Sequence, residues 1–276
     1  MSGRSRSRNV KFWITCSRGV GGALIFSLPL ILTMEMWWLG FYVEPARLLL
    51  FLVLLLPTLY GLSYYSGFEP TADWTEDVLD ALVAFAIGIV VSVVSLAIIA
   101  VLRVNMPVSE LVGKVTLMAA PASFGAVLAS KQLGQQSQQN RVSTEANGYG
   151  SELFIMAAGA LFLSFSVAPT EEMVLIAHMM TPWHALLLAL VSLVVMDAVV
   201  FGVGFRGQVA RPPDTSFWRV FLNFTVVGYA IALLISAYVL WTFGRFEGMA
   251  PLPALMSTVV LAFPGALGAA ISRLIV

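Results

Sequence analysis

Two acidic residues lie inside apolar segments that are long enough to cross a bilayer. Glu35 lies in the apolar run 19–43, and Glu172 lies in the run 152–178. An acidic residue near the centre of a membrane helix costs about 2.5–3.5 kcal/mol on insertion scales, and such residues usually mark ion or proton pathways. These carboxylates therefore favour one kind of chemistry, the binding of a proton or a small cation.

Hydroxyl side chains accompany both carboxylates at the same spacing along the chain. The residues concerned are Ser27, Thr33, Ser164 and Thr170. Pro29 and Pro169 also lie ahead of the two carboxylates, and each proline frees a backbone carbonyl by removing an intrahelical hydrogen bond. Hydroxyl, carbonyl and carboxylate oxygens together form the environment that protons and hard cations use in membranes.

Three further ionisable residues inside the predicted membrane helices are candidates for the same site. Glu171 lies about 100° around the helix from Glu172, so we expect it to face a neighbouring helix or to pair with Lys114. Lys114 either extends its ammonium to the headgroups or serves as counter-ion to Glu35 or Glu171. Asp197 either continues a polar path towards the cytoplasmic side or is tied to a backbone carbonyl.

A structural interpretation of the two glutamates stays open. Protonated glutamates can hydrogen-bond serine or threonine on the next helix, but such bonds average about 0.6 kcal/mol, which is less than the insertion cost. His178 and His184 flank a turn without a third ligand, so interfacial histidines are expected there rather than a metal site. The sequence has no zinc-protease, serine-hydrolase or Walker A motif. We therefore expect no enzyme, catalytic residue, metal or cofactor.

The composition is typical of an integral membrane protein. Of 276 residues, 59% are hydrophobic and 11% are charged, whereas soluble domains carry about 25% charged residues. A chain with so few polar residues could not cover the surface of a soluble globule. The lipid bilayer is its predicted environment, and its net charge of zero gives no indication of nucleic-acid binding.

Eight apolar runs reach the roughly 20 residues that a hydrocarbon core requires. The predicted membrane helices are 19–43, 46–66, 78–102, 110–130, 152–178, 182–205, 217–243 and 251–273. The fourth is the weakest, because Lys114 and Pro121 interrupt it, and a re-entrant segment there would leave seven. The predicted organisation is a basic segment 1–18, a four-helix unit 19–130, a polar linker 131–151 and a second four-helix unit 152–276.

Lysine and arginine concentrate on one side of this eight-helix arrangement. They occur at the N-terminus, in the linker 131–151 and in the loop 206–214. The positive-inside rule then predicts that both termini are cytoplasmic. The basic start is similar to that of a signal peptide, but the apolar run behind it exceeds the usual 7–15 residues, so a retained first helix is expected.

The two halves of the chain align without a gap. Residues 17–68 superpose on 154–205, and Pro121-x-x-x-Gly125 pairs with Pro264-x-x-x-Gly268. Since each half has an even number of helices, the predicted fold is an all-α membrane bundle of two parallel four-helix repeats. Equivalent residues then lie at equal depth, so Glu35 and Glu172 are predicted to face each other across the axis.

The Ser-x-Pro…Thr-x-Glu-Met pattern of 27–36 and the Ala-Pro-Thr-Glu-Glu-Met stretch of 168–173 resemble a bacterial family of uncharacterised integral membrane proteins. A domain of unknown function that covers nearly the whole chain defines this family. Its members are often described as encoded beside a small partner protein. The resemblance implies a multi-pass protein of the bacterial inner membrane and implies no activity.

Two functional hypotheses follow. In the first, the chain is a transporter or ion-conducting protein for a proton or small cation, with Glu35 and Glu172 as binding groups. In the second, it is a membrane subunit without transport that anchors or regulates a small partner protein. The polar residues would then specify helix pairing.

Overall fold

Helices form all the regular structure in the part of the chain that the structure describes. A computed structural model describes residues 2–66, 74–132, 148–202 and 217–275. Eight of its helices are long and apolar enough to cross a membrane. The all-α fold class and the eight membrane helices are therefore confirmed. The basic loop 206–214 and most of the predicted linker 131–151 lie outside the described residues.

The chain forms two compact units, Met1–Glu145 and Ala146–Val276. The helices of unit 1 are α1 (Ser2–Ile31), α2 (Met34–Tyr42), α3 (Pro45–Ser66), α4 (Trp74–Ile98) and α5 (Val108–Gln132). The helices of unit 2 are α6 (Tyr149–Val167), α7 (Glu172–Met179), α8 (Pro182–Asp197), α9 (Phe217–Val220), α10 (Val227–Thr242) and α11 (Pro251–Ile275).

In unit 1, α5 is the central helix. It contacts α1, α2, α3 and α4, and 72% of the residues in its most apolar stretch are buried, against 33% for α1. Small side chains from Ala119 to Ala126 let the other helices approach its backbone. Alanine, serine and glycine are the small residues that allow such close approach to a central helix. The re-entrant alternative was wrong, because α5 is continuous over 25 residues.

In unit 2, α11 has the corresponding position. It contacts α6, α7, α8 and α10, and 61% of its most apolar stretch is buried. Its alanines pack against Met156, Met196 and Tyr229 in the core of the unit. Alanine on a central helix leaves space for these larger side chains, so the two sides of the interface have complementary shapes.

Each unit contains one close helix crossing at a pair of glycines. A Cβ atom on Gly22 would overlap the carbonyl oxygen of Gly125, and a Cβ atom on Gly159 would overlap that of Gly268. Helices α1 and α5, and likewise α6 and α11, therefore touch backbone to backbone. The four glycines occupy positions that the sequence alignment pairs. This agreement supports the internal repeat, which stays a prediction.

The first membrane helix of each unit is broken, and here the prediction was wrong. The predicted helix 19–43 ends at Ile31 and resumes at Met34, and the predicted helix 152–178 ends at Val167 and resumes at Glu172. Pro29 precedes the first break and Pro169 lies within the second. Proline removes a backbone donor and clashes with the preceding turn, so it can end a helix as well as bend it.

Two predicted helices of unit 2 contain π-helical turns. The turn Ala198–Gly202 follows α8, and the turn Phe221–Val226 precedes α10. A π-helical turn widens the helix locally and occurs frequently at functional sites. Hydropathy alone could not indicate these turns, because the apolar composition continues through both of them.

Candidate functional site

The break in unit 1 places Glu35 at the start of a helix instead of in the middle of one. Glu35 is the second residue of α2 and is half-buried. The first turn of a helix presents unsatisfied N–H groups and carries partial positive charge, which stabilises an ionised carboxylate. The broken helix therefore places Glu35 at the end of α2 that carries the partial positive charge.

Side chains satisfy the carbonyl groups that this break frees. The Thr33 hydroxyl donates to the carbonyl oxygen of Pro29 at 2.6 Å. The Trp37 indole N–H donates to the carbonyl oxygen of Ile31 at 2.7 Å. The hydroxyl proton of Thr33 thus caps the end of α1. The hydroxyl oxygen retains lone pairs that could accept a hydrogen bond from a ligand or bind a cation.

The contact between α2 and α5 places Glu35 beside the apolar span of α5. Gly40 packs against Lys114 and Gly113, near the start of the apolar span Val108–Ala129 of α5. Glu35 precedes Gly40 by five residues, so it lies about 7 Å farther along the span at 1.5 Å per residue. The break therefore lies alongside the apolar part of α5 and not beyond its end.

The break in unit 2 has two carboxylates at its end. Glu171 immediately precedes α7, Glu172 is its first residue, and both side chains are exposed. The Thr170 hydroxyl donates to the carbonyl oxygen of Val167 at 2.8 Å. The guanidinium of Arg245 donates to the carbonyl oxygen of Pro169. Sequence reasoning missed Arg245, because nothing in its local sequence connects it with a helix 76 residues away.

The two predicted serines take part in helix packing. The Ser27 hydroxyl donates to the carbonyl oxygen of Ala23 at 2.6 Å, and the Ser164 hydroxyl pairs with the Ser236 hydroxyl at 3.2 Å. All three side chains are fully buried. The structure therefore brings the threonines to the helix breaks, whereas the hydrogen bonds of these serines go to groups other than carboxylates.

Lys114 forms an ion pair with a residue that the sequence analysis did not single out. Its Nζ atom lies 2.6 Å from Oε1 of Glu110, one turn earlier on α5, and both side chains are largely buried. Within unit 1 the partner is thus Glu110 rather than the predicted Glu35, and this is a correction. The predicted pairing with Glu171, which belongs to unit 2, stays a prediction. The spacing of four residues between Glu110 and Lys114 was the signal that could have found their pair.

Asp197 binds a hydroxyl between the two π-helical turns. Its Oδ1 atom accepts a hydrogen bond from the Thr225 hydroxyl at 3.3 Å. Asp197 is the last residue of α8, and Thr225 lies in the turn Phe221–Val226. The partner of Asp197 is therefore a side chain of the next membrane helix and not a backbone carbonyl, which was one of the two alternatives left open by the sequence.

The two histidines make local hydrogen bonds at helix ends. Nδ1 of His178 lies 2.8 Å from the carbonyl oxygen of Val174, and Nδ1 of His184 lies 2.7 Å from the Thr181 hydroxyl. Within the described ranges, no group of three histidine, cysteine or acidic residues is placed to hold a metal ion.

The comparisons with known proteins place the whole membrane region in one family. The family model described as "Putative integral membrane protein (DUF2391)" matches residues 15–276. Neither a curated protein nor a solved structure matches the chain. The match includes both units and both broken helices. The chain therefore belongs to this integral membrane family, which is defined by a domain of unknown function.

Proposed function

We propose that this integral membrane protein transports or conducts a proton or a small cation, with Glu35 and Glu172 as the binding carboxylates. One observation carries the proposal. The first helix of each unit is broken at aligned positions, and in both units a glutamate lies in the first turn of the second segment. On this proposal the chain is a membrane transporter or channel and not an enzyme.

Broken helices are costly in a bilayer and are characteristic of transporters. Each break exposes carbonyl and N–H groups that lipid cannot satisfy. Transporters use such half-helix ends to coordinate ions with backbone oxygens. A helix that served only as an anchor would have no need for this feature, whereas both units of this chain have it.

The energies also favour a functional role for the carboxylates. A helix N-terminus stabilises a carboxylate by about 0.3–1 kcal/mol, and by about 2 kcal/mol in favourable partly buried geometry. The insertion cost of a central acidic residue is about 2.5–3.5 kcal/mol. The stabilisation by the helix start is smaller than the insertion cost. The uncompensated part of the cost supports a binding role for the acid.

The two breaks differ in charge, and this difference predicts unequal roles. In unit 2 the Arg245 guanidinium binds the Pro169 carbonyl, so a fixed positive charge lies at the break. In unit 1 the neutral Trp37 indole binds a freed carbonyl of the break, that of Ile31. A fixed cation disfavours a second cation nearby. We therefore expect Glu35 to contribute more than Glu172 to cation binding.

The proposal includes the orientation and the location of the chain. We infer two parallel repeats in a bacterial inner membrane with both termini cytoplasmic. Arg273 in the last turn of α11 pairs with Glu152 in the first turn of α6 at 2.6 Å. A buried arginine at this helix end supports the cytoplasmic assignment, because positive residues concentrate on that side.

Flux in liposomes tests the proposal. The full chain would be reconstituted with a pH-sensitive dye inside, and proton and monovalent-cation flux would be compared for wild type, Glu35→Gln, Glu172→Gln and the double variant. Glu44→Gln is the matched control, because Glu44 is an exposed acid that pairs with Arg47 at 3.0 Å. We expect an about tenfold or larger loss in the double variant, since an interaction with a charged group contributes about 1.5–3 kcal/mol.

Two results would overturn the proposal. Equal flux in the wild type and the double variant would remove the carboxylates from the mechanism. Flux in the wild type no greater than in empty liposomes would exclude transport of these ions. A chain without flux that co-purifies with a small neighbour-encoded protein would instead be a membrane anchor.

A further inference from the structure

Unit 1 contains a cleft of about 880 Å³ where α2 faces the loop between α4 and α5. The lining residues that matter here are Trp37, Trp38, Phe41, Arg103, Glu110 and Lys114. The cleft combines an aromatic wall with three charged side chains. Neither the helix breaks nor the proposed transport accounts for this combination.

The charges of the cleft leave one positive charge in excess. Lys114 and Glu110 form an ion pair of 2.6 Å and neutralise each other. Arg103 is exposed, and no hydrogen-bond or ion-pair partner for it occurs among the residues that the structure describes. Guanidinium presents a planar set of donors that matches two oxygens of a phosphate. The available cation is therefore of the type that recognises a phosphate group.

The position of the cleft is that of the lipid headgroups. The cleft lies where the apolar span Asp77–Ile98 ends and the span Val108–Ala129 begins. Tryptophan is enriched at this depth, because its ring has an apolar body and a polar N–H group. The side chains of Trp38 and Phe41 are 59% and 66% exposed, so the aromatic wall continues onto the outer surface of the unit.

We propose that this cleft binds an anionic glycerophospholipid, with its phosphate at Arg103 and an acyl chain against Trp38 and Phe41. The excess positive charge favours a lipid with net negative charge over a zwitterionic one. The open aromatic wall suits an acyl chain, which a soluble phosphate lacks. In the aligned positions of unit 2, Pro253 and Ser257 replace Glu110 and Lys114, so the sequence of unit 2 does not repeat the ion pair of this cleft.

Lipid-dependent stability of the purified full chain tests the proposal. The apparent Tm in detergent would be measured with phosphatidylglycerol and with phosphatidylcholine of the same acyl chains, and native mass spectrometry would count the retained lipid. We expect phosphatidylglycerol to raise the Tm more than phosphatidylcholine does. Arg103→Ala should weaken phosphatidylglycerol binding about tenfold, because a charge-assisted phosphate contact is lost.

Arg47→Ala is the matched control, since Arg47 pairs with Glu44 and does not line the cleft. It should bind phosphatidylglycerol as the wild type does. Equal stabilisation by the two lipids, or phosphatidylglycerol binding unchanged in Arg103→Ala, would overturn the proposal. Inorganic phosphate and glycerol 3-phosphate form a further arm of the experiment. An Arg103-dependent stabilisation by either would show a site for a soluble anion and would likewise overturn the lipid proposal.

Discussion

Lys114 and Glu110 form a 2.6 Å ion pair one helical turn apart, inside the apolar span of α5. Their side chains are only 11% and 17% exposed. The backbone of Gly40 packs directly on the lysine, so a larger residue on α2 would collide with it. The pair therefore depends both on the sequence of α5 and on the crossing with α2.

Breaking this pair on one side should destabilise the protein more than replacing both partners. Lys114→Met leaves the Glu110 carboxylate largely buried and unpaired, and we expect a loss of about 3 kcal/mol in the free energy of unfolding. The double variant Lys114→Met with Glu110→Leu should lie close to wild type, because apolar side chains of similar size fill the same space. Denaturant-induced unfolding in detergent micelles measures both. A single variant as stable as the double one would show that the pair is solvated.

The glycine crossings should not tolerate a methyl group. In Gly22→Ala and Gly159→Ala the new Cβ atom would overlap a backbone carbonyl oxygen on the facing helix. We expect each to cost about 1–3 kcal/mol, the usual range for overpacking. Gly21→Ala is the control, because nothing lies within 4 Å of its Cβ position. It should be neutral or stabilising by up to about 1 kcal/mol through helix propensity.

Thermal unfolding of these alanine variants in detergent checks the prediction. The close helix crossing explains a loss of stability in Gly22→Ala only if the control Gly21→Ala does not lose stability. Equal stability of Gly22→Ala and Gly21→Ala would mean that α1 and α5 do not touch at this point in the membrane.

The helices that precede α5 and α11 each end with a residue in the left-handed backbone conformation. Ala100 has φ 59° after α4, and Gly244 has φ 70° after α10. The amides of both donate to the carbonyl oxygen three residues earlier at 3.0 Å. A non-glycine residue in this conformation costs about 1–2 kcal/mol, whereas glycine adopts it freely.

Reciprocal substitutions should therefore change stability in opposite directions. Ala100→Gly should stabilise unit 1 by about 0.5–1 kcal/mol, because relief of strain exceeds the greater chain entropy of unfolded glycine. Gly244→Ala should destabilise unit 2 by about 1–2 kcal/mol. Calorimetry of the two variants against wild type checks the signs. Shifts of Tm in the same direction for both would contradict this account.

Hydropathy predicted the eight membrane helices because a helix that crosses a bilayer needs about 20 consecutive apolar residues. It also predicted α5 in spite of Lys114 and Pro121, although α5 is less apolar than α3 and α4. The prediction that the first helix of each unit is continuous was wrong, because a proline can either bend a membrane helix or end it. Whether the helix bends or ends depends on which groups satisfy the freed carbonyls.

The sequence predicted the residues of the candidate site but not the side chains that contact them. Glu35, Glu172 and the two threonines follow from composition and repeated spacing, and the structure places all four at the helix breaks. Arg245 contacts the second break from another helix, and local sequence gives no sign of it. The Lys114–Glu110 pair was readable from a spacing of four residues, but its burial depends on the contact with α2.

The amino-acid sequence by itself determined that this chain is an integral membrane protein with about eight helices, and that acids and hydroxyls recur at one spacing in both halves. These properties depend on composition and on local periodicity, which the bilayer converts directly into helices. Only the tertiary structure decided that the first helix of each unit breaks beside its glutamate and that Glu110 pairs with Lys114. It also decided that an aromatic cleft lined by Arg103 opens in unit 1. These features require contacts between residues that are distant in the chain, and such contacts form only when the helices pack.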